Sequence, residues 1–318
     1  MKEIATTLRS ADRILMSLHR QPDGDSIGST LAVATGLRRL GHKVTVATPD
    51  PVPRAYDFLP GVATIVPWQQ VTAGQYDLVA LFDCADERRT GAPVPLRDYA
   101  PRILNVDHHA TNSRFGDVVF VDPLAAASAE LAHRTLELLG VTVDRELALL
   151  LYVGLETDTG GFRYASTTPE SHRLAARLLD AGIDPGEVSE LVYERQSAGG
   201  LRLLGAALHA MRVRPDLSLA YFVLGDEDFA QAGATAQDVE TIGVVDYARR
   251  LEGIEVAALL RSDGPGEVKL SLRSKGQVNV AELAARLGGG GHERAAGATI
   301  HGDLAAAEQA LLQLIAGR

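Results

Sequence analysis

The chain has 318 residues, of which 46% are hydrophobic and 23% charged, a composition typical of soluble globular proteins. No uninterrupted apolar run approaches the roughly 20 residues of a membrane span, and the first residues lack the apolar core of an export signal. The formal net charge of −10 excludes a broad basic track for long nucleic acids. The single cysteine, Cys84, has no partner for a disulfide or a structural zinc site. These features predict a cytoplasmic protein of about two domains.

Short apolar runs alternate with helical patterns in the first half of the chain, which is the rhythm of parallel strands joined by crossover helices. A helix is predicted from Ser26 to Leu40 and ends at Gly41. Two of the predicted strands end in an aspartate, Asp83 and Asp107. Because ligands bind beyond the carboxyl ends of such strands, we expect a site at that edge of the sheet. The predicted strands cover residues 13–18, 43–48, 77–83 and 102–107.

The second half of the chain contains two regions with different sequence patterns. From residue 128 to about 209 the apolar residues recur at helical spacing, with breaks predicted at Pro169, at Pro185 and at Gly199-Gly200. Strand-like runs then precede a final amphipathic helix. These strands are predicted at 217–224, 256–261 and 268–273, and the helix at 304–315.

This organisation predicts an α/β fold in three parts. The first is a catalytic domain with a mainly parallel sheet flanked by helices, and the last is a smaller α/β domain, with a helical connector between them. The predicted ranges are 1–188, 189–215 and 216–318.

Aspartates and histidines cluster at the predicted strand ends. A single acidic loop at a helix start is usually an N-cap, but here the same edge of the sheet collects residues from several segments. Carboxylates and imidazoles without thiolate favour Mn²⁺, with Mg²⁺, Co²⁺ and Zn²⁺ as alternatives. So many carboxylates would repel one another without cations, and two metal ions about 3.5–4 Å apart would relieve that repulsion. The candidate residues are His19, Asp23, Asp25, Asp83, Asp107, His108, His109 and Asp158.

A second cluster lies near the C-terminus. Four glycines, Gly288 to Gly291, permit close backbone approach to a phosphate, although a glycine run by itself is more often a flexible turn. Here the run lies beside several basic side chains, which bind phosphate well. Those side chains are Arg273, Lys275, His292 and Arg294. Arg88 or Arg89 is a weaker candidate for the same role, with a solvated helix face as the alternative.

The motifs together resemble the DHH phosphoesterases, a family named for the triplet present here as Asp107-His108-His109. The resemblance also includes the loop from His19 to Asp25, the strand-end Asp83 and the segment around Asp158, in family order. The C-terminal part resembles the DHH-associated domain through Ser271 to Lys275 and Gly288 to Gly297. Length and both C-terminal motifs are most similar to the subgroup of bifunctional oligoribonucleases and PAP phosphatases.

The resemblance implies a role for each residue. His19, Asp23 and Asp83 would hold the first metal, and Asp25, Asp83, His108 and Asp158 the second, with Asp83 bridging. Asp107 would orient a neighbouring imidazole, and His109 would contact the scissile phosphate or assist the leaving oxygen. The remaining residues would bind substrate: Arg89, Arg273, Ser274, Lys275, Gly289, Gly290, Gly291, His292 and Arg294.

The expected function is two-metal hydrolysis of very short RNA to nucleoside 5′-monophosphates and of adenosine 3′,5′-bisphosphate to AMP. Linear or cyclic dinucleotides are further expected substrates, and long duplexes and membranes are not expected partners. The resemblance to the family also implies that the protein forms a homodimer. Three alternatives remain open at this point: a pyrophosphatase or exopolyphosphatase, a RecJ-like DNA exonuclease, and a non-catalytic nucleotide sensor.

Overall fold

A computed structural model describes the backbone of residues 1–318 and the side chains of all of them except Glu240, Thr241 and His292. The chain divides into two compact units, Met1–Glu194 and Arg195–Arg318. The helical connector at 189–215 stays a prediction. No helix among the described residues combines the length and the apolar character needed to cross a membrane.

The first unit is an α/β layer structure around six parallel strands in the order β3-β2-β1-β4-β5-β6. Its strands are β1 (Arg13–Ser17), β2 (Lys43–Thr48), β3 (Val66–Pro67), β4 (Leu78–Phe82), β5 (Ile103–Asp107) and β6 (Val118–Val121). Its helices are α1 (Lys2–Arg9), α2 (Gly24–Arg39), α3 (Ser128–Leu139), α4 (Arg145–Asp158), α5 (Pro169–Asp180) and α6 (Pro185–Tyr193). The predicted α/β class and parallel sheet are confirmed.

The strand order reverses direction between β1 and β4, which lie side by side with Ile14 opposite Leu78. From β1 the chain builds outward through β2 and β3, and then returns to build β4, β5 and β6 on the other side. A crevice forms beyond the carboxyl ends of the strands at such a reversal, and ligands bind there. Every residue of β4 and β5 is buried, as expected for parallel strands covered on both faces.

Capping side chains and prolines set the first residues of several helices in this unit. The predicted helix at 26–40 begins two residues earlier, at Gly24, because the Asp23 carboxylate caps it by accepting a hydrogen bond from the Ser26 amide at 3.0 Å. Pro169 and Pro185 each occupy the first turn of a helix, α5 and α6, where a missing N–H costs nothing. The predicted breaks at both prolines are therefore confirmed.

The second unit is built on a mixed sheet in the order β11-β12-β10-β9-β8-β7, in which only the β8–β9 pair is parallel. Its strands are β7 (Arg212–Arg214), β8 (Leu219–Leu224), β9 (Val256–Ser262), β10 (Glu267–Ser274), β11 (Gly290–His292) and β12 (Ala295–His301). Its helices are α7 (Ala198–His209), α8 (Asp226–Ala232), α9 (Ala236–Ile242), α10 (Val244–Arg249), α11 (Val280–Ala285) and α12 (Leu304–Ala316). This is the smaller α/β domain that the sequence predicts.

The break predicted at Gly199-Gly200 lies a few residues earlier, between the end of α6 at Tyr193 and the start of α7 at Ala198, and both glycines fall in the first turn of α7. A Cβ at Gly199 would lie 2.1 Å from the carbonyl oxygen of Gly233, and one at Gly200 would lie 2.7 Å from the side chain of Ile242. The glycines therefore permit close packing of α7 on its neighbours rather than a helix end.

Candidate metal centre

The predicted metal-binding residues come together at the carboxyl edge of the parallel sheet, where the reversal of strand order lies. His19 follows β1, Asp83 follows β4 and Asp107 is the last residue of β5. Asp83 has a left-handed backbone with φ of 63°, a conformation that turns the chain sharply at the strand end. His108 directly follows β5, and the remaining candidates come from helix ends: Asp23 and Asp25 from the start of α2, and Asp158 from the end of α4.

Asp83 lies between two sets of side chains. Its Oδ2 atom is 3.3 Å from Nε2 of His19, and its Oδ1 atom is 3.5 Å from Nε2 of His108. Nε2 of His19 also lies 3.7 Å from Asp23 Oδ1, and Nε2 of His108 lies 3.3 Å from Asp158 Oδ2. One carboxylate thus presents a different oxygen to each set.

Among the side chains that the structure describes, three groups could hold a metal ion, and within each group the ligand atoms all lie within 4.8 Å of one another. His19, Asp23 and Asp83 form one, and Asp25, His108 and Asp158 form another. The third consists of Asp83, His108 and His109. Their members belong to a single centre with Asp83 in the middle.

Backbone carbonyl oxygens set the orientation of both histidine rings. Nδ1 of His19 is 2.8 Å from the oxygen of Arg20, and Nδ1 of His108 is 3.2 Å from the oxygen of Ala125. A carbonyl oxygen only accepts, so each contact favours a proton on Nδ1. The Nε2 atom of each ring is on the side that faces Asp83.

His109 occupies a different environment. Its Nδ1 donates to Asp107 Oδ1 at 2.8 Å, and the same carboxylate accepts the backbone N–H of His108 at 2.8 Å. Asn112 donates to the second oxygen of Asp107 at 2.6 Å and is itself held by Asn105 at 2.9 Å. Asp107 is completely buried, so it acts as an orienting group within a hydrogen-bonded network.

Asp25 is held by the start of α3, a contact that sequence reasoning missed. The backbone amides of Ser128 and Ala129 donate to its two oxygens at 2.5 and 2.8 Å, and the Ser128 hydroxyl donates to Asp83 at 3.1 Å. A helix N-terminus favours a carboxylate there. The sequence signal for Ser128 is only a small polar residue at a helix start, which many helices share.

Two glycines permit the close helix packing on which this centre depends. A Cβ at Gly24 would lie 2.4 Å from Thr157 Oγ1, and a Cβ at Gly154 would lie 2.9 Å from Asp25 Oδ1. Because neither has a side chain, the start of α2 and the end of α4 approach closely enough to bring Asp25 and Asp158 to the same histidine.

Burial and neighbouring charges shift the pKa values of Asp25, Asp83 and Asp158. Burial and the charge of Asp83 raise the pKa of Asp25 and of Asp158 well above the usual range. Burial alone would also raise the pKa of Asp83, but the hydrogen bond from His19 and the charge of His109 outweigh it and hold this pKa well below its usual range. Burial alone would lower the pKa of His19 and of His108, yet nearby carboxylates raise both. A centre with this excess of acidic groups fits cations.

The structure distinguishes the two arginines that follow β4. Arg88 is exposed and its guanidinium is paired with Asp86 at 2.9 Å. Arg89 is half-buried, and its Nη2 atom lies 3.1 Å from Nδ1 of His19. Arg89, and not Arg88, therefore lies at the edge of the centre.

The predicted substrate-binding residues of the C-terminal part lie in the second unit, around the end of β10. Arg273 is half-buried, donates to the Leu272 carbonyl at 3.1 Å and lies 3.9 Å from Asp246. Ser274 is buried and its hydroxyl donates to the Val278 carbonyl at 2.7 Å. Lys275 donates to the Leu251 carbonyl at 2.5 Å.

The glycine segment packs as strand β11 against β12. A Cβ at Gly289 would lie 2.1 Å from the Gly297 oxygen, and one at Gly291 would lie 2.5 Å from the Ala295 oxygen, whereas Gly290 has open space. Arg294 follows the strand and donates to the Val278 carbonyl at 3.0 Å. The side chain of His292 lies outside the described residues. The close approach of backbones accounts for Gly289 and Gly291 independently of any phosphate.

Comparison with known proteins gives matches along nearly the whole chain. The model of the DHH family, N-terminal domain, matches residues 13–155, and the model of the DHHA1 domain matches residues 218–317. The bifunctional oligoribonuclease and PAP phosphatase NrnA of Thermus thermophilus is 36% identical over 99% of this chain and 93% of its own length. The protein of the same name from Bacillus subtilis is 24% identical over 94% of this chain and 93% of its own.

A solved structure agrees with these matches. An exopolyphosphatase-related protein from Bacteroides fragilis has a TM-score of 0.91 and 27% identity, covering 100% of this chain and 96% of that one. The resemblance inferred from the motifs is confirmed. Since both domain models match in order and a relative 36% identical spans nearly the full length, the chain belongs to the DHH family, with an N-terminal DHH domain followed by a DHHA1 domain.

Proposed function

We propose that this protein is a metal-dependent phosphoesterase that degrades short oligoribonucleotides to nucleoside 5′-monophosphates and converts adenosine 3′,5′-bisphosphate to AMP and phosphate. Linear and cyclic dinucleotides belong to the same proposed substrate class. The observation that carries the proposal is the position of Asp83, whose two oxygens lie 3.3 and 3.5 Å from Nε2 of His19 and His108. A carboxylate shared between two ligand sets suits two-metal phosphate hydrolysis.

The residues present fit two divalent cations. Asp25, which is buried, and Asp158, which is half-buried, have raised pKa values near Asp83, and cations would remove the repulsion that helps to raise them. The donor set of carboxylates and imidazoles favours Mn²⁺, with Mg²⁺ or Co²⁺ as substitutes. When bound, such cations neutralise phosphate charge and activate the attacking water. The first would be held by His19, Asp23 and Asp83, and the second by Asp25, Asp83, His108 and Asp158.

His109 is proposed to act on the substrate rather than on a metal. Asp107 accepts a hydrogen bond from its Nδ1 at 2.8 Å and thereby fixes the orientation of the ring. The opposite nitrogen, Nε2, then donates a proton to the leaving oxygen or a hydrogen bond to the phosphate. Asn112 keeps Asp107 in place, since it donates to the carboxylate at 2.6 Å.

The second unit is proposed to bind the part of the substrate that is remote from the metals. Arg273, Lys275 and Arg294 supply positive charge in a protein whose formal net charge is −10. A few localised cations suit a substrate with few phosphates, whereas a long nucleic acid needs an extended basic surface. Ser274, the segment Gly289–His292 and, from the first unit, Arg89 complete the proposed substrate contacts.

The names of relatives support this substrate class, and one supports a second candidate. Full-length relatives from Thermus thermophilus and Bacillus subtilis are named bifunctional oligoribonuclease and PAP phosphatase. The relative of known structure from Bacteroides fragilis is described as exopolyphosphatase-related. Hydrolysis of inorganic polyphosphate is therefore the second candidate function.

A substrate panel with Mn²⁺ tests the proposal. We expect a higher kcat/KM on a dinucleotide, a pentanucleotide and adenosine 3′,5′-bisphosphate than on a long RNA, a long DNA, pyrophosphate or polyphosphate. A preference for the inorganic substrates would favour the second candidate, and a preference for long DNA would indicate a RecJ-like exonuclease. Nucleotide binding without any turnover would indicate a sensor. Light scattering on the same sample would test the predicted homodimer.

A further inference from the structure

The loop that carries two of the proposed ligands of the first metal has an unusual backbone. His19 and Asp23 are separated by only three residues, and the middle one is Gln21. Gln21 has φ of 52°, in the left-handed region that a residue with a side chain adopts only at a cost. The ring of Pro22, which follows, restricts the conformations of Gln21 further. Strained backbone of this kind persists only where its surroundings hold it.

A carboxylate from the neighbouring strand holds this backbone in place. Asp50 follows β2, and its Oδ2 atom accepts the backbone N–H of Gln21 at 2.7 Å. Asp50 is itself fixed, because the Thr48 hydroxyl donates to its carbonyl oxygen at 2.6 Å. A carboxylate is a stronger acceptor than a neutral oxygen. Like Asp83 and Asp107, Asp50 is a carboxylate at the carboxyl end of a strand, but its bonded partner is a backbone amide.

The loop is held from the other side as well. β1 lies between β2 and β4 in the sheet, so the segments after those two strands flank the loop that follows β1. The backbone N–H of Arg20 donates to the carbonyl of Arg89, which follows β4, at 2.6 Å. The two flanking segments also approach each other closely, since a Cβ at Gly91 would lie 2.5 Å from Cβ of Pro49. The loop therefore has chain on both sides, and Asp50 supplies the contact on the β2 side.

Asp23 is the ligand that depends most on the position of this loop. Its side chain is 48% exposed, whereas those of His19 and Asp83 are each 2% exposed. Packing holds the two buried ligands, but Asp23 is placed by the loop backbone and by the Ser26 amide, which donates to its Oδ1 atom at 3.0 Å. The same oxygen lies 3.7 Å from Nε2 of His19. A shift of the backbone at Gln21, two residues earlier, would move Asp23 away from the other ligands.

We propose that Asp50 is a positioning residue for the first metal, which holds the Gln21 backbone so that His19 and Asp23 are presented together. The role rests on the proposed function, because it concerns the metal centre assigned there. Asp50 acts through the backbone of Gln21 and needs no contact with metal or substrate. The ligands of the second metal are held by other segments, with Asp25 bound to the start of α3, and should be affected less.

The test measures Mn²⁺ binding to the full chain after treatment with a chelator, without substrate. Asp50→Ala should weaken the binding of one Mn²⁺ by about 10- to 100-fold, the usual effect of losing a group that supports a metal ligand, and leave the other close to the wild type. Calorimetry gives the two affinities, and electron paramagnetic resonance distinguishes a single Mn²⁺ from a coupled pair. At a Mn²⁺ concentration that fills both sites of the wild type, Asp50→Ala should show the signal of the single ion.

Three further variants separate positioning from a general loss of stability. Asp50→Asn keeps an oxygen that can accept the Gln21 N–H, so it should restore most of the affinity. In a Gln21→Gly background the loss of Asp50 should cost less than in the wild type, because glycine adopts a positive φ easily. Asp77→Ala is the matched control, since Asp77 also accepts backbone amides, those of Asp12 and Arg13 at 3.0 and 2.8 Å, but at the opposite edge of the sheet. It should leave both Mn²⁺ affinities unchanged.

Metal binding without turnover separates the role of Asp50 from the proposed function. Unchanged affinity for both Mn²⁺ ions in Asp50→Ala, or an equal loss of both, would overturn the positioning role whether or not the protein cleaves the proposed substrates. A similar loss in Asp77→Ala would overturn it too, because the effect would then be one of stability. A wild type that binds no Mn²⁺ would refute the metal centre, and the role of Asp50 with it.

Discussion

Asp83 is the side chain that lies between the two sets of ligands in the centre. It is 2% exposed, its backbone is left-handed, and each of its oxygens faces a different histidine. Removal of this carboxylate therefore affects both sets of ligands together. Asp86, three residues later, does not have this position. It caps a short helical turn and pairs with an exposed arginine.

We expect Asp83→Ala to abolish turnover and to reduce the occupancy of both metals together, since one bridging ligand serves two ions. Metal analysis of the purified variant and phosphate-release assays measure the two effects. Asp86→Ala, the control, should keep both metals and activity near the wild type. Two metals at normal occupancy in Asp83→Ala would contradict the bridging role.

Substitution of the two neighbouring histidines should have different effects, one on metal binding and the other on catalysis. His108→Ala should lose metal, because Nε2 of His108 faces Asp83 and Asp158. His109→Ala should keep its metals and lose kcat by about 10²- to 10⁴-fold, the range for general-acid assistance. Metal content and kcat of both variants check this, and the reverse pattern would show that the roles within the triplet are exchanged.

At the scale of elements, the sequence predicted which segments meet. Four strands of the parallel sheet were predicted from apolar runs, and His19, Asp83 and Asp107 were expected to lie together because ligands bind at the carboxyl ends of such strands. The short strands β3 and β6 were missed because two to four residues carry too little pattern. How closely the helices pack was not predictable either, because it depends on glycines whose neighbours lie far away in the chain.

Gly28 shows this dependence and allows a direct test. It lies within α2, and a Cβ there would lie 2.3 Å from the Leu150 carbonyl oxygen of α4. Gly28→Ala should therefore force the two helices apart and destabilise the protein by about 1–3 kcal/mol, the usual cost of overpacking. It should also lower metal affinity, since α2 and α4 carry Asp25 and Asp158. Thermal denaturation and metal titration measure both effects.

Gly205 provides the matched control for that substitution. It is exposed within α7, and a Cβ there would have no heavy atom within 4 Å. Gly205→Ala should stabilise the protein by about 0.5–1 kcal/mol, because alanine is the better helix former. A melting temperature of Gly28→Ala at or above that of the wild type would refute the close-packing argument.

At the scale of the whole molecule, chemistry and substrate binding are assigned to different units. All proposed metal ligands lie in Met1–Glu194, whereas Arg273 lies in Arg195–Arg318. Arg273→Ala should therefore keep both metals and lower kcat/KM on a dinucleotide by about 10- to 150-fold, as expected for a lost charge-assisted contact. The small ester bis-p-nitrophenyl phosphate should be affected much less.

The control for this prediction is Arg214→Ala, which removes a half-buried arginine of the same unit that pairs with Asp216 at 2.7 Å. It should leave both substrates unaffected. Equal losses on the dinucleotide and on the small ester in Arg273→Ala would mean that the second unit influences the metal centre itself, and the assignment of separate roles would have to be abandoned.

The family, the fold class and the residue types of the centre can all be predicted from the amino-acid sequence. Strand periodicity and the short spacing within His19–Asp25 and Asp107–His109 are local properties, so they can be read along the chain. The folded structure is needed to see which oxygen of Asp83 faces which histidine, that α3 holds Asp25 through Ser128, and that Asn112 supports Asp107. It also distinguishes Arg89 from Arg88. The reason is physical: hydrogen bonds and van der Waals contacts act over a few ångströms in space, between segments whose separation along the chain carries no record of their contact.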